Sequence, residues 1–349
     1  MENSTFDQAS SVKTLVDHYK ANLSGSHLKT MLADGDRCSK LVTSNDKITL
    51  DYTHTKMDAK ALELLAGAAA ELKLKDKMGA MFSGEKINTT EDRSVLHVAL
   101  RKQKGESLVV EGKNVVDDVH EVLDRIKDFT DRVRTEKFVG FTGKKLTNIV
   151  AIGIGGSFLG PEFVYESLKH DETCKAAASG MNLRFLANVD PIDFHRATEG
   201  LDISTTLFVI VSKTFTTAET MLNSRTCRKH ILASFPNDPP NEVLAKHLCA
   251  VSTNLTATKE FGISDENVFG FWNWVGGRYS VSSAVGVLPL SLYYGFDNVR
   301  KFLDGMNAMD KVAIETDDVT KNIPVLMGLL GFYNTHVCGH ASRAVLPYC

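Results

Sequence analysis

Nine residues, Ser212-Lys213-Thr214-Phe215-Thr216-Thr217-Ala218-Glu219-Thr220, hold five hydroxyls and one ammonium. A phosphate dianion presents three acceptor oxygens and needs several convergent donors. Each charge-assisted hydrogen bond to it is worth roughly 1.5–3 kcal/mol. Hydroxyls supply such donors without crowding cations together. Serine and threonine also serve as helix caps and turn formers, which is the plainer role for any one of them. A second stretch, Ile152-Gly-Ile-Gly-Gly-Ser-Phe-Leu-Gly-Pro161, follows the apolar run 149–152 with three glycines and places Ser157 where a helix N-cap belongs. Strand, glycine turn and helix start aim unpaired N–H groups at one spot that suits an anion. Phe158 stands where a dinucleotide fingerprint needs glycine, and no Lys-Ser/Thr pair closes a nucleotide P-loop. A tight turn with packing glycines is the other reading. The third stretch is Trp272-Asn-Trp-Val-Gly-Gly-Arg-Tyr-Ser280. Its glycines permit close backbone approach to a ligand, and Arg278 is a permanent cation suited to an oxyanion formed in reaction. A glycine turn bearing a surface arginine is the alternative.

These loops need a scaffold, and the apolar pattern from residue 115 onward describes one. A helix is expected over Val115–Arg134, then strands and helices alternate: strand 148–152, helix 157–168, strand 183–187, helix 192–198, strand 206–211, helix 218–235 and strand 248–252. That alternation implies βαβ units and a parallel sheet, whose ligands gather at the carboxyl ends of the strands. Upstream, helical periodicity covers 11–36 and 57–82, with a strand or extended link around Ile48–Tyr52. Thr89 or Thr90 is expected to cap a helix start within 84–101. His97, among Leu96, Val98 and Leu100, reads as a satisfied core histidine or as a catalytic one. Residues 102–114 look like a loop. After 281 the chain is helical over 282–294, 298–315 and 323–338, and residues 344–347 look like the start of a strand.

At 349 residues, the chain has room for two domains, and 43% apolar with 24% charged residues is ordinary globular composition. A net charge of −3 gives no footprint for nucleic acid. No apolar run approaches the roughly 20 residues of a membrane helix, and the N-terminus lacks a secretory pattern. Cys38, Cys174, Cys227, Cys249, Cys338 and Cys349 are scattered, without metal spacing, and read as reduced thiols of a cytosolic protein.

Together the three stretches closely resemble the glucose-6-phosphate isomerase (phosphoglucose isomerase) family. Phe82-Ser-Gly-Glu-Lys-Ile-Asn-x-Thr-Glu-x-Arg93 and Leu96-His-Val-Ala-Leu-Arg101 are similar to its N-terminal region. The resemblance implies an α/β fold, an αβα sandwich with a parallel sheet of the SIS phosphosugar-binding type. It implies a helical region at 1–114, a small SIS domain at 115–285, and at 286–349 the start of a large one, incomplete in this sequence. It further implies a cytosolic homodimer that interconverts glucose 6-phosphate and fructose 6-phosphate through a cis-enediolate, in glycolysis and gluconeogenesis, without cofactor or metal. Ser212, Lys213, Thr214, Thr217 and Thr220 look like the phosphate site. Gly156 and Ser157 look like sugar contacts, and Gly277 with Arg278 line the reacting carbons, Arg278 as the catalytic cation. Ala218 replaces a glutamine common among relatives. The family's glutamate base follows the segment matched by Leu346–Tyr348, so the chain alone is expected to be inactive. The alternative is a non-catalytic phosphosugar-binding module or sensor.

Overall fold

The computed structural model describes residue 6 and residues 9–348. The chain divides into two compact units: Ser83–Met306, and a second built from Met1–Phe82 with Asn307–Cys349.

The unit Ser83–Met306 is organised on five parallel strands, β1 (Asn148–Ile152), β2 (Asn182–Leu186), β3 (Thr206–Val211), β4 (Leu248–Val251) and β5 (Val268–Phe269), in spatial order β2-β1-β3-β4-β5. Strand residues alternate between two cores, as the two-residue period of a strand requires. Ile149, Ala151, Leu207, Val209, Cys249 and Phe269 face one cluster. Val150, Ile152, Phe208, Ile210, Ala250 and Val268 face the other. A sheet covered on both faces reads as nearly continuous apolar runs, and β3 is buried at every position. This is the α/β sandwich expected from the pattern.

Helix α1 (Val115–Arg134) covers the first face with Val116, Val119, Leu123, Ile126, Phe129 and Val133. Asn114 caps it by accepting from the Val116 N–H at 3.3 Å. Asp117 and Asp118 in its first turn and Arg132 and Arg134 in its last suit the helix dipole. Helices α2 (Gly156–Leu168) and α3 (Ala218–Ser234) follow β1 and β3 directly. Helix α4 (Ala284–Tyr294) is buried at all but one position and packs against α1 and α2.

The other unit packs helix Ser10–His18 on helix Ala59–Glu71, with Leu15, Tyr19, Leu65, Leu326 and Tyr333 in one core. The Tyr333 hydroxyl donates to the Lys56 carbonyl at 2.7 Å.

Several local expectations are corrected. The helix expected over 11–36 breaks at Ser24–Ser26, and Asp34 caps a separate helix, Gly35–Lys40. The one expected over 57–82 divides at Lys73, whose φ is +53°. No helix starts at Thr89 or Thr90. Instead Asn88 and Arg93 form an antiparallel bridge, Asp92 sits at φ +47°, and the Thr90 hydroxyl bonds the Asn88 side chain. Residues 109–114 form a hairpin whose turn, Glu111-Gly112, has positive φ at both positions. Residues 344–347 pair with no strand among the described residues, and Val345 and Leu346 stand exposed. Cys38, Cys174, Cys227, Cys249 and Cys338 are free thiols. Cys349 lies outside the described residues.

Candidate active site

In the order β2-β1-β3, chain direction across the sheet reverses between β1 and β3, and ligands of open parallel sheets bind at such a switch point. The two loops that leave β1 and β3 are the glycine turn and the hydroxyl-rich segment.

Gly155 is the residue that caps α2, with φ +61°, a conformation that costs other residues free energy. Ser157 is therefore the second residue of the helix, correcting its expected place at the N-cap. Gly156 explains the second glycine. A Cβ there would lie 2.0 Å from the Gly277 carbonyl oxygen, so α2 and the turn around Arg278 meet backbone to backbone. Gly160 does the same one turn later, where a Cβ would lie 2.8 Å from the Val281 Cβ. The Ser280 hydroxyl donates to the Gly277 carbonyl at 2.7 Å and stitches the turn together.

The loop after β3 is held by its carbonyls. Lys213 O accepts from the Thr253 N–H, the Thr253 hydroxyl and the Ser252 hydroxyl, at 3.0, 2.9 and 3.1 Å. Thr214 O accepts from the Asn254 side chain at 3.0 Å. Phe215, buried against Phe261, adopts φ +58°. A positive φ at a buried phenylalanine is strain that only a well-determined surrounding can hold, and such strain clusters at binding loops. With the carbonyls engaged on one side, the Thr214, Thr216 and Thr217 N–H groups have no acceptor among the described residues. Thr217 sits at the N-cap of α3, yet its side chain makes no capping bond. Its hydroxyl instead lies 3.4 Å from the Ser212 hydroxyl, and Thr214 pairs with Thr216 at 2.5 Å. Thr220 is buried in the first turn of α3. Free N–H groups, gathered hydroxyls and a helix N-terminus make an anion cradle.

Gly156, Gly277 and Arg278 come together on a cavity of about 710 Å³ whose wall also includes Asn88, Glu91, Arg93, Asn273 and Tyr279. Ser212, Thr214 and Thr217 form a separate cluster that does not line this cavity. Lys213 links the two: its ammonium donates to the Asn273 carbonyl at 3.3 Å and lies over the Phe271 ring. Burial, and then Arg93, hold its pKa below the usual lysine range.

Arg278 has no ion-pair or hydrogen-bond partner among the described residues. An unpartnered permanent cation on a cavity wall is available to an anion. Glu91 is the one carboxylate among the described residues lining the cavity. It accepts from Asn88 at 2.8 Å and from Arg93, and these contacts hold its carboxyl below the usual range. A carboxylate so stabilised is a poor general base. The wall from Asn88 to Arg93 received no site role from the sequence, although its residues belong to one of the matched motifs. It reaches the cavity through a tertiary contact, the Leu96 N–H donating to the Trp274 carbonyl at 3.2 Å. Among the described residues, no three His, Cys, Asp or Glu side chains gather to hold a metal.

A family model described as phosphoglucose isomerase matches residues 51–349 of this chain. The chain belongs to the phosphoglucose isomerase family. It is 51% identical over 329 residues to a cytosolic glucose-6-phosphate isomerase of Spinacia oleracea, covering 94% of this chain and 57% of that protein. The cytosolic glucose-6-phosphate isomerase of Zea mays is 51% identical over 336 residues, covering 96% and 58%. A crystal structure of a glucose-6-phosphate isomerase from Chlamydia trachomatis superimposes with a TM-score of 0.80 at 27% identity, over 96% of this chain and 61% of that one. The fold is thus the SIS type of phosphoglucose isomerases. The chain spans about three fifths of the length of these relatives. No helix among the described residues is long and apolar enough to cross a membrane.

Proposed function

We propose that this chain supplies the phosphosugar-binding part of a glucose-6-phosphate isomerase, which interconverts glucose 6-phosphate and fructose 6-phosphate through a cis-enediolate. The observation that carries this reading is the unpartnered Arg278 guanidinium on a cavity beside a strained loop of free N–H groups and hydroxyls. Ser212, Thr214 and Thr217 would receive the phosphate, with Lys213 and Thr220 beside them. Gly156 and Ser157 would approach the sugar with backbone rather than side chain. Gly277 and Arg278 would meet the reacting carbons, where a fixed cation offsets the charge that develops on the enediolate oxygens. For the whole protein the reading takes 1–114 as a helical region, 115–285 as the small SIS domain and 286–349 as part of the large one. It places the protein in the cytosol, in keeping with the names of its relatives, and takes it as a homodimer working in glycolysis and gluconeogenesis without cofactor.

Phosphate recognition is tested by Thr214→Ala with Thr217→Ala. Losing two charge-assisted bonds should weaken glucose 6-phosphate at least about tenfold in calorimetry, with free glucose unaffected. Equal loss for both ligands would remove the phosphate assignment.

A second reading, binding without turnover, is favoured by Glu91, whose carboxyl is tied to Asn88 and Arg93. Proton transfer by a positioned base contributes about 10²–10⁴-fold to rate. A coupled assay should therefore show this chain binding glucose 6-phosphate while isomerising it at least that much more slowly than the full-length relatives. Turnover near theirs would make this chain's own groups sufficient.

A further inference from the structure

His97 is neither a satisfied core histidine nor a residue of the cavity wall. Its ring stacks on that of Tyr279, with centroids 4.8 Å apart and planes 23° from parallel. Its Nδ1 is buried and has no hydrogen-bond partner among the described residues. Burial, and then nearby Arg101, push the imidazole down to about 4, so the ring is neutral at physiological pH. It adds no second positive charge behind Arg278. A histidine with an unsatisfied nitrogen costs stability that a leucine or phenylalanine would not. Its flat face against Tyr279 is a contact that a leucine would not reproduce.

Tyr279 shares a turn with Arg278. The Tyr279 N–H donates to the Gly276 carbonyl at 3.0 Å and closes a tight turn with Gly277 and Arg278 at its centre. Tyr279 is 54% exposed and reaches the cavity wall. Arg278 has no side-chain partner of its own among the described residues, so this turn alone sets where its side chain leaves the backbone. The Leu96 N–H bond to the Trp274 carbonyl fixes the strand of chain carrying His97 to the same loop. In an inference that rests on the proposed role of Arg278, we infer that His97 is a positioning residue: its ring clamps Tyr279 and thereby holds the turn that presents Arg278 to the cavity.

The test uses the 349-residue chain with two substitutions. His97→Leu fills the volume without a flat face, and His97→Phe keeps the face. Two ligands of equal carbon length separate the effects: an aldonic acid phosphate, whose carboxylate is placed for Arg278, and the alditol phosphate, which has a hydroxyl there. A charge-assisted pair is worth about 10–100-fold in affinity, so the unsubstituted chain should prefer the aldonate by roughly that ratio. His97→Leu should bring the ratio to near one while leaving alditol phosphate binding within about twofold. His97→Phe should keep the preference, and Arg278→Lys with His97→Leu should lose no more than either alone. A ratio unchanged by His97→Leu, or equal losses for both ligands, overturns the inference. A ligand-free readout separates this from failure of the isomerase reading. The Arg278 backbone amide NMR signal should be single and sharp in the parent and in His97→Phe, and shifted or broadened by exchange in His97→Leu. If neither phosphate binds, the isomerase reading falls and that signal still decides: an unchanged Arg278 signal in His97→Leu overturns the positioning role.

Discussion

Lys213 and Arg278 show two ways of keeping a cation at a site. Lys213 is half-buried, bonded to a carbonyl and depressed by its surroundings, whereas Arg278 is exposed and unpartnered. Arginine cannot be discharged at any pH a protein survives, so it needs no protection from deprotonation. The histidines behave oppositely. His97 is pushed down to about 4, and burial also lowers His247, whose Nδ1 bonds the Thr206 carbonyl at 2.8 Å. In the unfolded chain both titrate near 6.5. Below that value the unfolded state binds more protons than the folded one at both positions, down to about 4 for His97, so stability is full above pH 6.5 and falls as the pH drops. Unfolding free energies and midpoints in urea should decline from pH 6.5 to 4.5, the free energy by up to about 1.4 kcal/mol per pH unit from His97, with His247 adding in the same direction. His97→Phe should flatten part of that slope, and a midpoint independent of pH in this window would contradict the burial of both rings. Glu71 and Asp202, held near 2 chiefly by serine hydrogen bonds, lose their contribution only below about pH 4.5 and so act in a separate window.

Among the elements, the contact between α2 and the Arg278 turn is the tightest constraint on the site. Gly156→Ala would drive a methyl into the Gly277 carbonyl, and backbone cannot yield as a flexible side chain can. It should destabilise the chain by about 1–3 kcal/mol and remove sugar-phosphate binding. Gly67, inside helix Ala59–Glu71 with open space around it, makes the opposite case. There Gly→Ala should stabilise by about 0.5–1 kcal/mol, and thermal melts of the two variants should move in opposite directions. The same contrast explains what was legible beforehand. Helix α1 and strands β1 to β4 could be read because burial on one or two faces leaves a regular period. Strand β5 is two residues long and leaves none. The turn at Asn88–Arg93 was misread as a helix start because a bridge between its two ends, invisible to local propensity, outweighed the capping pattern. The three candidate loops were visible from residue types alone. The wall contributed by Asn88, Glu91 and Arg93 was not, since contacts between residues far apart in the chain, among them the Leu96–Trp274 hydrogen bond, bring it there.

For the molecule as a whole, the division of the chain is unequal in kind: Ser83–Met306 is continuous, and the other unit is assembled from both sides of it. Leu15, Tyr19 and Leu65 share a core with Leu326 and Tyr333. A ribosome delivers the first group long before the second. At about 5–20 residues per second, the early residues wait roughly 15–60 s for their partners. During that interval the continuous unit can close its sheet while an apolar helix surface upstream stays open. Protease pulses on arrested nascent chains should show residues 83–306 becoming resistant before residues 9–82, and protection in the reverse order would rule this sequence out. The waiting segment is then a natural client for a chaperone during synthesis, an obligation set by chain connectivity and independent of anything the finished site binds.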